Sequence, residues 1–225
     1  MHVSQFGIIG ATSSLPAKIK ILSALLLIVS VIIHYEKYLG ISIEHCPGVY
    51  RPAEDTFLLM DHLIPGNRVL EIGCGTGIIS IYCARMGRKV TCCDISQGAL
   101  DCAEKNAIRN RVSLNIVNSN LFQNIEGTYD TIIFNPPYLP VEDRFENSEQ
   151  WNGGSDGFDI IAPFLDSADR YLEDSGSIYI ILSSLTDLVS LQNRYKKYTF
   201  KEKAKESYFF ETLFLFQLFK AVHQD

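Results

Sequence analysis

The feature that most restricts this chain is an alternation, from residue 68 onward, of short apolar runs with longer amphipathic segments. "RVLEIG" leads into "GIISIYCARMG", and "KVTCCD" leads into "QGALDCAEKNAIRN"; "LNIVNSN" and "YDTIIFN" follow. The short runs suit buried strands, and the segments between them carry apolar residues at helical spacing. Strands joined through helices of that length lie parallel, with helices on both faces of the sheet. The spacing also predicts a helix over 53–63, a helix ending at Gly87, a helix over 97–110 capped by Ser96, and a helix over 157–171. A strand "SIYIILSS" and a helix near 186–195 come next. Two aromatic strands at about 206–210 and 212–219 sit too close for a crossover helix, so they form a hairpin and one strand runs antiparallel. The basic stretch "RYKKYTFKEKAK" before them reads as a solvated helix end and edge.

A chain of 225 residues, 47% hydrophobic, buries one good core, so one domain is expected. Residues 1–34 are a different material, a hydrophobic N-terminal extension ahead of a domain over 35–225. The extension has no acidic residue and holds the uncharged run Ile21–Ile33, too short for a comfortable membrane span and without a cleavage site after it. Three readings stay open for it: a signal anchor with membrane contact over 19–33, a packed or amphipathic helix, or translated sequence ahead of a start at Val31. The six cysteines show no C-x-x-C spacing, so buried thiols in a reducing, cytoplasmic setting are expected, with no disulfide and no metal site. The net charge of −6 argues against a partner gripped by many phosphate contacts.

Where the first strand meets its helix, "VLEIGCGTG" carries Gly73, Gly75 and Gly77. Such a turn brings backbone N–H groups and a helix N-terminus close to a ligand. The position where a dinucleotide loop takes its third glycine is Ile78, and Glu71 at the strand end would repel a pyrophosphate. A carboxylate there suits a cationic or amino-bearing ligand. Asp94, ending the second strand, is placed for the two hydroxyls of a ribose. The ligand implied is S-adenosylmethionine.

The fourth strand ends in "NPPYLP", residues 135–140. Pro136 and Pro137 stiffen the turn, and the end of the strand aims Asn135 at the crevice that holds Gly73 and Asp94. The Asn135 side-chain oxygen and the Pro136 carbonyl are two acceptors, a match for both hydrogens of an –NH2 group. Held that way, the nitrogen lone pair faces a sulfonium methyl for in-line displacement, and positioning alone contributes up to ~7–11 kcal/mol. Tyr138 offers a flat face to a planar substrate group. The expected catalytic residues are Asn135, Pro136 and Tyr138.

Glycine loop and Asn-Pro-Pro-Tyr together resemble the class I methyltransferases that modify amide or exocyclic amino nitrogens. "VYRPAEDTFLL" (49–59), "NPPYLP" and "WNGGSDGFDII" (151–161) are similar to the archaeal and eukaryotic release-factor glutamine methyltransferases, the HemK2 type, over about residues 35–225. The resemblance implies a Rossmann-like α/β fold, a seven-stranded mostly parallel sheet with the last strand antiparallel. It implies that Thr56, Glu71 and Gly73 meet the methionine end of the cofactor, Asp94 its ribose, Asn120 and Leu121 its adenine, and Asn135 both cofactor and substrate. Asn120 stands where the family carries an acid, and Arg51 where a glutamate is expected. The activity implied is N5-methylation of the glutamine in the Gly-Gly-Gln loop of a translation release factor, with a small zinc-binding activator subunit as partner. Protein lysine and the amino groups of adenine or cytosine in DNA are the alternatives; against DNA stand the acidic total and the lack of a target-recognition domain.

Overall fold

The computed structural model describes residues 40–136, 158–209 and 211–221. The chain divides into units 1–41 and 42–225, and the second is the one described here. The apolar run 21–33, Tyr138 and most of "WNGGSDGFDII" lie outside the described residues. No helix among the described residues is long and apolar enough to cross a membrane.

The chain order is α1 (Glu54–His62), β1 (Arg68–Ile72), α2 (Ile78–Arg85), β2 (Lys89–Asp94), α3 (Gln97–Arg109), β3 (Asn115–Asn118), β4 (Tyr129–Phe134), α4 (Phe158–Ala168), β5 (Leu172–Ser183), α5 (Leu188–Arg194), β6 (Tyr198–Ser207) and β7 (Thr212–Lys220). The strands form one seven-stranded sheet in the order β3-β2-β1-β4-β5-β7-β6. β1 to β5 are mutually parallel, and β7 runs antiparallel to both β5 and β6. Alternating side chains divide the sheet into two faces. Leu70, Ile72, Cys93, Ile132 and Phe134 pack with Ile161 and Phe164 of α4 and Leu191 of α5. Cys92 packs instead with Leu100 and Ala103 of α3. Helices therefore cover both faces.

Register decides where a site can form. Ile72 lies opposite both Cys93 and Phe134, and Asp94 opposite Asn118, so β1, β2, β3 and β4 end at one level. The strand order reverses between β1 and β4, and a crevice opens above such a point. Gly73 and Asn135, each the first residue past its strand, flank it.

Three expectations need correction. The penultimate strand covers Tyr198–Ser207, upstream of the 206–210 expected, and includes most of the basic stretch read as a helix end. It pairs along its whole length with β7, burying Tyr198 and packing Phe200 on the core while its lysines line an outer edge. Lysine on an edge strand deters further pairing, which is why the charge concealed the strand. Ser96 occupies the N-cap of α3 but makes no side-chain cap bond; its N–H donates instead to Asp94 Oδ1 at 2.9 Å. Cys46 and Cys102 form a disulfide across 56 residues. Their pairing depends on segment 42–46 meeting α3, which spacing cannot reveal. Asn106 and Asn110, one helical turn apart on α3, each clasp a backbone unit of that segment. Asn106 Oδ1 accepts from Glu44 N at 2.7 Å and its Nδ2 donates to Glu44 O at 3.1 Å. Asn110 treats Ser42 alike, at 2.9 and 2.8 Å. The other four cysteines are buried thiols, and burial pushes Cys93 up to about 12.

Candidate active site

A cavity of about 1020 Å³ opens at the carboxyl ends of β1, β2, β3 and β4. It gathers Thr56, Glu71, Gly73, Gly75, Asp94, Asn120, Leu121, Asn135 and Pro136, all expected from sequence. Gly77 is not in its lining, and Tyr138 lies outside the described residues.

The glycine loop holds itself together. Gly73 N and Cys74 N both donate to Cys93 O, at 2.8 and 3.0 Å, and Gly77 N donates to Cys74 O at 2.8 Å. Gly75 N donates to Asp94 Oδ2 at 3.1 Å. Four N–H groups that a phosphate-binding turn would offer are thus already taken. The loop presents a bare Cα to the cavity: a Cβ on Gly73 would come no nearer than 4.0 Å to its closest neighbour, Phe134, and would fill open space. Gly77 is different. It caps α2 at φ 76°, and a Cβ there would come within 2.9 Å of the Ala103 Cβ on α3. Helix contact requires a glycine here, and the residue lies outside the cavity's lining.

Two carboxyl groups line this wall under different conditions. Asp94 uses one lone pair on each oxygen for Gly75 N and Ser96 N. A carboxylate has about four acceptor sites, so two stay open for a pair of hydroxyls. Glu71 is 3% exposed and accepts from Ser80 Oγ on α2. Burial pushes its pKa up to about 8, against the lowering effect of the Ser80 hydrogen bonds. Burial thus favours the protonated carboxyl over the carboxylate at this position. Past β3, Leu121 takes the left-handed conformation (φ 49°), costly for a leucine. Ser119 braces it by donating Oγ–H to Leu121 O at 2.9 Å.

Asn135, the first residue past β4, also lines the cavity. Asn135 Nδ2 donates to Asp55 Oδ2 at 2.8 Å. Asn135 Oδ1 is buried and, among the described residues, has no hydrogen-bond partner. Such an acceptor costs about 1–3 kcal/mol when left unpaired, and it lies in a residue lining the cavity beside Pro136. Asp55 and Tyr50, which also line the cavity, were not picked out in the sequence. The available signal was the acidic first turn of α1, which reads equally well as helix-end charge.

Residues 41–209 match the methyltransferase small domain family. The chain belongs to that family. This methyltransferase is 40% identical over 169 residues to a candidate protein N5-glutamine methyltransferase of Methanocaldococcus jannaschii, covering 72% of this chain and 86% of that one. It is 34% identical over 151 residues to methyltransferase HEMK2 of Mus musculus, covering 59% and 71% of the two chains. Among solved structures it superposes on a chain of the E. cuniculi Mtq2-Trm112 complex, responsible for methylation of the eRF1 translation termination factor. The TM-score is 0.63 at 25% identity, over 77% of this chain and 99% of that one. The seven-stranded sheet with its antiparallel β7 is the fold that the family resemblance implied.

Proposed function

We propose that this methyltransferase uses S-adenosylmethionine to methylate N5 of the glutamine in the Gly-Gly-Gln loop of a translation release factor. The observation that carries the reading is Asn135, which lines the same cavity as Pro136, the glycine loop and Asp94 and whose buried Oδ1 has no partner among the described residues. The names of the M. jannaschii, mouse and E. cuniculi relatives support it. When bound, S-adenosylmethionine supplies a methyl group on a sulfonium sulfur. Thr56, Glu71 and Gly73 hold its methionine end, Asp94 accepts from the ribose hydroxyls, and Asn120 with Leu121 bounds the adenine. The internally bonded loop supports this ligand over a dinucleotide, because it leaves four fewer N–H groups to receive a pyrophosphate.

Asn135 Oδ1 and the Pro136 carbonyl accept the two hydrogens of the glutamine –NH2, and Tyr138 bounds the planar amide. The nitrogen gains the methyl group and releases one proton to solvent. Orientation supplies the acceleration, so no strong base is needed. A small zinc-binding activator subunit along a free sheet edge belongs to the same proposal, and the two-protein E. cuniculi complex supports a second subunit. In this proposal catalysis resides in residues 35–225, so a chain starting at Val31 is expected to retain full activity. The test is transfer of labelled methyl to a panel of release factor, histone-like protein and DNA, with and without the activator. Label in the release factor is expected; label only in lysine-rich protein or DNA overturns the reading.

A further inference from the structure

We propose that Asp55 is a positioning residue for Asn135, setting which end of its amide faces the substrate. The inference rests on the functional reading above and extends it to specificity. An asparagine amide is nearly symmetric in shape, so its neighbours decide its polarity. Here the neighbour is a carboxylate, which in this state only accepts. Asp55 is 3% exposed and takes donors on every side: Tyr50 OH at 3.0 Å to each oxygen, Thr56 N at 2.6 Å, Thr56 Oγ1 at 3.2 Å and Asn135 Nδ2 at 2.8 Å. Only the NH2 end of Asn135 can face it. The oxygen is left as the end without a partner among the described residues. Asp55 thereby makes the site an acceptor and selects substrates that present N–H at the reacting nitrogen. A flipped Asn135 would offer its own NH2 there, donor against donor.

Asp55→Asn isolates this role. The variant keeps the size of the side chain and an oxygen for Thr56 N and Tyr50 OH, so the first turn of α1 stays satisfied. It also brings an NH2 group of its own, which invites Asn135 to turn its oxygen inward. Assayed on a release-factor domain carrying Gly-Gly-Gln, turnover falls by about 10²-fold, the scale of a misplaced reacting group, while cofactor affinity and thermal midpoint stay near wild type. Adding Asn135→Asp to Asp55→Asn restores a forced acceptor, since the new asparagine can donate to one oxygen and leave the other for substrate. The double variant is expected to recover at least about tenfold over Asp55→Asn, a coupling that independent losses would not give. A second readout needs no substrate. In nitrogen-15 spectra the Asn135 side-chain NH2, assigned by its loss in Asn135→Asp, exchanges slowly in wild type and rapidly in Asp55→Ala. If that contrast holds while wild type transfers nothing to glutamine, the functional reading fails and the positioning role stands. Wild-type turnover in Asp55→Asn, a double variant slower than the single, or an unchanged amide signal would each overturn the proposal.

Discussion

The two walls of the cavity treat their polar atoms in opposite ways. On the glycine-loop wall, Gly73 N, Cys74 N, Gly75 N and Gly77 N are all bonded within the protein, and Asp94 is braced by two backbone donors. On the β4 wall, Asn135 is anchored at one end, and its other end has no partner among the described residues. In the proposed reaction the first arrangement is a cradle whose shape binds the cofactor, and the second holds an acceptor for the donor that a substrate supplies. In that proposal binding and orientation are divided between two elements brought together because β1 and β4 end at the same level.

Asn135→Ala should break the comparison most sharply. Removal of the orienting acceptor is expected to cut turnover by about 10²-fold or more, with cofactor affinity near wild type. Thermal stability should fall only a little, because the loss of the bond to Asp55 is offset by the departure of an unsatisfied buried atom. Single-turnover kinetics alongside titration calorimetry separates the two effects.

Gly77→Ala should do the reverse. The left-handed backbone costs an alanine about 1–2 kcal/mol, and pressing a methyl group against Ala103 adds roughly 1–3 kcal/mol. Denaturant unfolding should show that loss, while the folded fraction binds cofactor normally. A selective loss of cofactor affinity would return Gly77 to the ligand site.

Asp94→Ala lies between these. Cofactor binding should weaken by about 1–3 kcal/mol, the range for hydrogen bonds to a charged group. A smaller drop in melting temperature should accompany it, since Gly75 N and Ser96 N lose their acceptor.

Glu71 gives the gentlest test, by pH. Its pKa rises from 4.5 to about 8 on folding, so between those values the folded state holds the proton more tightly than the unfolded state does. Stability from this group is therefore fully present at low pH and declines as pH climbs through that window. Glu71→Gln should flatten the decline in urea titrations run from pH 5 to 9. An identical slope in both proteins would show that Glu71 is not the titrating group.

Much of this was legible in the sequence because it depends on strand ends. Gly73, Asp94 and Asn135 each follow or close an apolar run, and parallel strands carry such residues to one edge of the sheet. What was hidden depends on contacts between distant segments. Asp55 meets Asn135 across 80 residues, and only the approach of α1 to the end of β4 creates that bond. Gly77 read as a ligand glycine because G-x-G-x-G looks uniform, whereas its environment, Ala103 on α3, belongs to another element. β6 was obscured by its lysines, and the Cys46–Cys102 pair by the 56-residue separation between its members.

The central claim is that this site presents acceptors to an amide –NH2. Its most direct test is tandem mass spectrometry of a Gly-Gly-Gln release-factor domain after incubation with the enzyme and S-adenosylmethionine. One methyl group on the glutamine side-chain nitrogen is predicted, absent when the substrate glutamine is changed to glutamate and absent with Asn135→Ala. A methyl group on lysine instead, or on the glutamine at an undiminished rate with Asn135→Ala, would contradict it.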